Sequence, residues 1–221
     1  MFRNLLFWAF FSLSLLGCQA TESHRALTPQ TVSDNSSPYA GPRVSLVVAN
    51  FQNRSSYNRG LFSDGGDRLG SQAKTILKTH LQMTKRFTVV DRDNLGEIAR
   101  EAGLRGESQQ LIGATVALTG DVTEFGRKEV GDQQLFGILG SGRKQIAYAK
   151  VALNVVDVRT SEIIYSVQGA GEYELKNREV VGFGTTAGYD ATLNGKVLNL
   201  ALTQAVEQLV EGLDQNAWSA R

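Results

Sequence analysis

The one cysteine of the 221-residue chain, Cys18, is the residue whose chemistry the sequence defines most clearly. It follows a positive charge at Arg3 and an apolar run over residues 5–16, which is too short to span a bilayer and is typical of a secretory signal. Gly17 stands directly before it, as in a bacterial lipobox, where the thiol receives a diacylglycerol. We therefore predict a signal peptide over residues 1–17 and a covalent acyl lipid on Cys18. A signal peptide that ends at a chance cysteine is the alternative.

The residues after the cysteine favour a tether to the outer membrane. Gln19, not an aspartate, follows Cys18, which favours the outer membrane in bacteria where that position sorts lipoproteins. Residues 18–42 mix small polar residues and prolines with few large apolar ones, so they cannot bury enough surface to offset their ordering entropy. We expect a lipid anchor in the outer membrane and a folded α/β domain in the periplasm.

The other reactive residue types offer no catalytic or metal site. His24 lies in the tether, and His80 lies on an apolar helix face, where a packed histidine is more common than a metal ligand. Asp91 and Asp93 stand where a strand meets a helix, and capping is expected there more than cation chelation. The glycines at 137–142 lack the Lys-Ser/Thr ending of a phosphate loop. We predict a non-enzyme without a metal or cofactor, and the net charge of +1 gives no sign of nucleic-acid binding.

The first half of the body alternates strands and helices. Short apolar runs are typical of buried strands, and apolar residues at helical spacing indicate amphipathic helices. We predict strands at residues 44–48, at 87–90 and from 116, a long loop at 50–68, and helices at 69–83 and about 95–103. This order predicts an α/β domain over residues 43–218, with a mixed sheet and flanking helices.

The second half predicts two extended β-hairpins, over about residues 120–158 and 162–190, and then a helix at about 192–216. Strands usually have about 5–6 residues, so hairpins of this length need a special reason. The tip of the first hairpin is apolar and contains Phe136, Ile138 and Leu139. In the second hairpin, apolar and polar residues alternate over residues 163–176.

Such alternation is the pattern of a membrane-spanning β-strand, which needs about 9–11 tilted residues. Two hairpins cannot close a barrel, so several subunits would share one transmembrane β-barrel in a ring, held in part by the broad apolar face of the last helix. Charges such as Arg127 and Lys128 on both faces of the first hairpin fit poorly with lipid. The alternative is that both hairpins are soluble β-arms or partner-binding edges.

Several stretches resemble the CsgG family of outer-membrane lipoproteins that secrete curli. The run Phe-Thr-Val-Val-Asp-Arg-x-x-Leu at 87–95 resembles a strand-to-helix junction of that family. Residues 156–167 are similar to its turn between the two hairpins, although Ser161 stands where a glycine is usual. The Gly-Leu-Asp-x-x-x-Trp run at 212–218 resembles the end of its last helix, and the apolar tip at 136–138 also matches.

The resemblance implies a ring of subunits, each giving two hairpins to one barrel above a periplasmic α/β domain. It also implies a narrow constriction built by the loop after the first strand. Tyr57 and Phe62 keep the tyrosine-to-phenylalanine spacing of that loop, while Leu61 replaces the family's asparagine and Asn58 its proline. Rings of aromatic faces would hold an unfolded polypeptide without sequence preference.

The sequence thus predicts an oligomeric, non-enzymatic channel for diffusive export of extracellular fibre or adhesin polypeptides. Its expected partners are further copies of the chain, outer-membrane lipid, unfolded polypeptide cargo and periplasmic accessory proteins. Two alternatives remain: a periplasmic lipoprotein without a pore that regulates a cell-wall synthase or a surface appendage, and a scaffold ring around a flagellar or secretion machine.

Overall fold

The computed structural model describes residues 39, 41–57, 66–133, 141–178 and 193–220. Five strands and three helices lie within these ranges. In chain order they are β1 (Val44–Asn53), α1 (Arg68–Met83), β2 (Phe87–Val90), α2 (Leu95–Leu104), β3 (Val116–Gln133), β4 (Ser141–Asp157), β5 (Ile163–Arg178) and α3 (Leu193–Asp214).

The five strands form one mixed sheet in the order β2–β1–β3–β4–β5. β1 lies parallel to both β2 and β3, because a connection that contains a helix returns the chain to the same end of the sheet each time. β3, β4 and β5 are antiparallel neighbours along nearly their whole lengths. The predicted α/β domain, a mixed sheet with flanking helices, is therefore confirmed.

The hydrophobic core lies between one face of the sheet and helices α1 and α3. Alternate residues of the central strands point into it and are fully buried, as are the facing leucines of both helices. They include Leu46, Leu118, Leu153, Leu77, Leu81, Leu198 and Leu202. Since burying one such side chain contributes about 1.5–3 kcal/mol, this layer is the main source of stability.

The side chains on the opposite face of the sheet are only partly buried. This face carries small and polar side chains of intermediate exposure, among them Ala117, Thr119, Ala152 and Asn154. Helix α2 has no buried residue, so it adds little to the core. This face is open in the single chain.

Helix α3 lies directly on the backbone of β5. A Cβ atom added at Gly169 would lie 2.1 Å from the carbonyl oxygen of Ala201, and one at Gly171 would lie 2.7 Å from that of Val197. The two glycines therefore let the helix approach more closely than any side chain would permit. Gln204 of α3 also accepts a hydrogen bond from the edge N–H of Ala170. At this position, the exposed edge of β5 therefore has one fewer free N–H group to pair with another strand.

This contact corrects two expectations. The apolar side of β5 from Tyr165 to Tyr173 faces the core under α3, so its alternation reflects helix packing and does not by itself indicate lipid. The broad apolar face of α3 is covered by β4, β5 and α1 of the same chain. It is therefore not free to hold a neighbouring subunit.

Two other local expectations differ from the structure. β1 continues to Asn53 through an irregularity between Val48 and Phe51, and so takes four residues from the predicted loop. Asp91 and Asp93 do not cap α2, whose N-cap is Asn94 without a side-chain hydrogen bond. They accept hydrogen bonds from lysines of α1 instead. The Lys78 Nζ–Asp91 Oδ1 distance is 2.9 Å, and this bond, with that from Asn94, lowers the pKa of Asp91 to about 2.

The tether joins the body at a buried arginine. The guanidinium of Arg86 donates to both carboxylate oxygens of Asp214, near the end of α3, at 2.9–3.2 Å. The guanidinium carbon Cζ of Arg86 lies over the ring of Tyr39, 4.9 Å from the centroid of that ring. Because β1 starts beside Arg86, the tether enters the domain at the end of the sheet opposite the hairpin tip.

Ser161 lies in the tight turn between β4 and β5 with a φ of 61°. A left-handed backbone of this kind favours glycine. This explains why the family that this stretch resembles usually has a glycine here. The turn is held by the buried carboxylate of Asp157, which accepts from the N–H groups of Arg159 and Thr160.

No helix in the described part of the chain is long and apolar enough to cross a membrane. The signal peptide, Cys18, the return arm of the second hairpin and the tip with Phe136, Ile138 and Leu139 lie outside the described residues.

We predict that Gly169→Ala will lower the free energy of unfolding by about 1–3 kcal/mol, because the new methyl group overlaps the backbone of α3. Urea unfolding followed by circular dichroism measures the change. Gly96→Ala is the matched control, since beyond its chain neighbours and its own helix backbone no atom lies within 4 Å of the added Cβ, and a small gain of about 0.5–1 kcal/mol is expected there. Equal stability of Gly169→Ala and wild type would contradict the close contact of α3 with β5.

Because His80 is buried, we predict that the folded protein loses stability in mild acid. The histidine is buried between α1 and α3, with Nε2 2.9 Å from Asn199 Oδ1 and with no partner for Nδ1 among the described residues. Burial lowers the pKa of His80 from 6.5, outweighing the hydrogen bond with Asn199 and the negative charge of Glu207. The unfolded chain then binds a proton more readily, so the free energy of unfolding falls as the pH drops below 6.5.

The check is urea unfolding at pH values between about 7 and 5, where His80→Gln should show a smaller loss than wild type. A wild-type profile as flat as that of the variant would show that His80 is not buried as a neutral side chain.

Candidate functional site

Of the residues predicted to form a constriction, Tyr57 is described by the structure, while Leu61 and Phe62 lie outside the described residues. Tyr57 lies four residues after the end of β1. Its surroundings show how the loop that starts there is attached to the domain.

The ring of Tyr57 packs on the hairpin arm β3. Its centroid lies 4.7 Å from that of Phe125, with the two rings tilted by 60°. Phe125 is buried and Tyr57 is half-buried, so the pair extends the hydrophobic core to the start of the loop. Tilted pairs at this distance are favourable beyond their buried area.

The hydroxyl of Tyr57 is engaged as well. Asn194, in the first turn of α3, donates from Nδ2 to this oxygen at 2.9 Å. The Oδ1 atom of Asn194 accepts from Nε and Nη2 of Arg127 on β3, at 2.9 and 2.7 Å. One chain of hydrogen bonds therefore joins the loop, the last helix and the first hairpin.

A second residue, Asn53, ties the two ends of the loop together. Its Nδ2 atom donates to the carbonyl oxygen of Tyr57 at 3.0 Å, and its backbone N–H donates to Asp67 Oδ2 at 2.5 Å. Asp67 also accepts from the N–H of Gly70 at 2.7 Å and so caps α1. Ser55 donates to Asn53 Oδ1 from its hydroxyl and its N–H, which completes the turn after β1.

These contacts hold both ends of the loop at Asn53 and place its first residue, Tyr57, beside Phe125 and Asn194. β3 continues from Arg127 to Gln133, paired with β4 throughout. The loop base therefore lies where the hairpin leaves the part of the sheet that α3 covers. The site is a mechanical support for a loop, with no acid, base or nucleophile arranged for catalysis among its described residues.

Sequence reasoning singled out Tyr57 and missed its partners. By sequence alone, Arg127 is only a charge that fits poorly with lipid, whereas in the structure it donates hydrogen bonds to Asn194 inside the domain. Asn53 and Ser55 could have been suspected, since such residues commonly form turns after a strand. Asn194 is 137 positions from Tyr57 in the sequence, and no local pattern identifies it.

The lysines bound to Asp91 and Asp93 take the place of the cation that this pair could have chelated. Elsewhere in the described ranges, no group of three or more His, Cys, Asp or Glu side chains is arranged to hold a metal ion.

Among solved structures, the chain is similar in fold to a PelC dodecamer from Paraburkholderia phytofirmans, with 14% identity and a TM-score of 0.33 over 81% of this chain and 92% of that one. It is also similar to the LpoB C-terminal domain from Salmonella enterica, with 18% identity and a TM-score of 0.33 over 59% of this chain and 85% of that one. At these values the likenesses carry no argument about assembly or function.

The sequence comparisons are much stronger. A Neisseria meningitidis serogroup B protein named "Putative lipoprotein NMB1126/NMB1164" is 60% identical over 207 residues, which is 94% of this chain and 92% of the relative. The family model described as "Curli production assembly/transport component CsgG" matches residues 26–221. This match covers nearly the whole chain, and the chain therefore belongs to the CsgG family.

Proposed function

We propose that the chain is an outer-membrane lipoprotein whose subunits form a ring and whose hairpins together build a secretion channel for unfolded fibre or adhesin polypeptides. The observation that carries the proposal is the length of β3, β4 and β5, which have 18, 17 and 16 residues. Strands of soluble sheets usually have about 5–6 residues, and the domain needs no such length to close its core.

The lengths of helix and strand agree with this proposal. At about 3.3 Å per residue, the 18 residues of β3 span roughly 59 Å. The 22 residues of α3 span only about 33 Å at 1.5 Å per residue. The residues of β3 beyond the contact of Arg127 with the first turn of α3 are 128–133, and they span roughly 20 Å. The described part of the hairpin thus supplies most of the apolar band of about 25 Å that a transmembrane barrel presents to lipid.

The lipid on Cys18 would hold each subunit beside the membrane. The name of the Neisseria meningitidis relative supports a lipoprotein in the cell envelope. A diacylglycerol carries two acyl chains, which are enough for stable attachment. In this proposal the hairpins add a second contact with the membrane, and the tether over residues 18–42 lets the domain reach its place in the ring.

A ring follows from the edges of the hairpins. Open strand edges are not tolerated in lipid, and two hairpins per chain cannot close on themselves. Copies of the chain must therefore pair their hairpins. Since α3 is covered within the chain, the open face of the sheet with Ala117, Thr119, Ala152 and Asn154 is the better surface for a neighbouring copy.

In the ring, the loop that starts at Tyr57 would point toward the axis and narrow the channel. Leu61 and Phe62 would line this constriction, giving an apolar contact that slides along unfolded polypeptide without sequence preference. Transport would be diffusive, and no cofactor apart from the lipid takes part.

The second candidate is a lipoprotein regulator or scaffold without a pore, docked on a cell-wall synthase, a surface appendage or an envelope machine. The observation that favours it is that α3 covers the apolar side of β5 from Tyr165 to Tyr173. This side belongs to the hydrophobic core, so its apolar residues need no contact with lipid. The open sheet face would then bind the partner.

We expect the lipidated protein, purified in detergent, to form rings in electron micrographs and to give stepwise conductance in planar bilayers. Phe62→Ala and Leu61→Ala should raise the conductance, because each removes bulk from the narrowest layer. Leu111→Ala is the matched control, since Leu111 is an exposed leucine ahead of β3 and far from the tip. Monomers without conductance would favour the regulator, and unchanged conductance in both loop variants would place the constriction elsewhere.

Cys18→Ser should move the protein from the membrane fraction to the soluble periplasmic fraction, because the hydroxyl cannot accept the lipid and subunits then fail to gather at the membrane. Cell fractionation followed by immunoblotting measures the distribution. Retention of the variant in the membrane would mean that the hairpins insert without help from the lipid.

A further inference from the structure

We propose that Asn194 and Arg127 are positioning residues, which hold Tyr57 and thereby fix the start of the channel-narrowing loop to the first hairpin and to α3. The inference rests on the proposed function. It gives Tyr57 the role of an anchor at the start of that loop.

The geometry of Tyr57 shows an anchor. Its ring is half-buried against Phe125, and its hydroxyl accepts a hydrogen bond at 2.9 Å from Asn194. A side chain that only lined a channel would need neither contact. Both contacts restrict the ring, so the first residue of the loop has one position relative to β3.

The partner Asn194 is itself fixed by a charged group. Two N–H groups of Arg127 converge on its Oδ1 atom, which leaves Nδ2 directed at Tyr57. Hydrogen bonds from a guanidinium are stronger than those between neutral groups. Arg127 therefore sets the orientation of the amide, and the amide sets the position of the tyrosine.

The three residues come from three separate segments. Arg127 belongs to the first hairpin, Asn194 lies at the start of α3, directly after the second hairpin, and Tyr57 begins the loop. Asn53 fixes the same end of the loop to β1 through the carbonyl oxygen of Tyr57. A shift of either hairpin relative to the rest of the sheet would be transmitted to the loop through this chain of hydrogen bonds.

The test uses Tyr57→Phe, which removes only the hydroxyl and keeps the ring on Phe125, and Asn194→Ala. The matched control is Tyr148→Phe. Tyr148 pairs with Gly126, next to Arg127, but its side chain lies on the opposite face of the sheet. Asn194→Asp is the conservative variant, because a carboxylate can accept from both Arg127 and the tyrosine hydroxyl.

Two readouts decide the result. In planar bilayers, Tyr57→Phe, Asn194→Ala and the double variant should show the same increase in conductance fluctuation, because all three break one chain of contacts. Asn194→Asp should restore the wild-type trace, and Tyr148→Phe should leave it unchanged. Without a membrane, trypsin should cleave after Arg59 faster in the two single variants than in wild type or Tyr148→Phe.

The outcomes separate this inference from the proposed function. If wild type gives no conductance, the channel proposal fails, and the cleavage rate after Arg59 still decides whether the anchor exists. Equal cleavage rates in all variants would overturn the inference. A lower melting temperature of Tyr57→Phe with an unchanged trace and an unchanged cleavage rate would also overturn it, since that is the result of a purely structural hydrogen bond.

Discussion

The close contact between α3 and the backbone of β5 is the constraint on which the rest of the structure depends. At Gly169 and Gly171 the helix touches the strand without intervening side chains, so its distance and direction are fixed by the backbone itself. This contact closes the core over β4 and β5 and brings α3 against α1. It also covers the edge N–H of Ala170. A sheet with such long strands would otherwise leave a broad apolar face in water.

The same contact sets the position of the site. Because α3 is seated on β5, its first turn lies at Arg127 of β3, and Asn194 can reach the hydroxyl of Tyr57. On the side of Arg127 toward Val116, the hairpin strands are covered by helices. On the other side, toward Gln133, they continue as paired strands without a helix over them in the described part of the chain. The domain therefore divides the hairpins into a part that belongs to the core and a part that projects. The first residue of the loop, Tyr57, is fixed at this boundary, where the proposed channel would begin.

Much of this fold was predictable from local pattern, and the site was not. The apolar run at 44–48 and the helical spacing around Leu77 predict β1 and α1, since burial of one face fixes both elements. The alternation around Val167 predicts a strand but not its environment, because a face under a helix and a face in lipid have the same pattern. The capping role expected of Asp91 is wrong because Lys78 of α1, 13 positions earlier in the sequence, donates to its carboxylate. Asn194, which donates to the hydroxyl of Tyr57, is 137 positions away in the sequence, so only the folded chain identifies it.

In the proposed channel, the hairpins enter the membrane beyond Arg127 and the α/β domain stays outside it. Since the proposed lipidation would remove the thiol of Cys18, single cysteines placed in turn at positions 128–133 would be the one reactive thiol, and each can carry an environment-sensitive fluorophore. In lipid-reconstituted rings the account predicts emission that alternates between lipid-like and water-like at successive positions, with a label at Gln168 remaining water-like. Water-like emission at all six positions would contradict it.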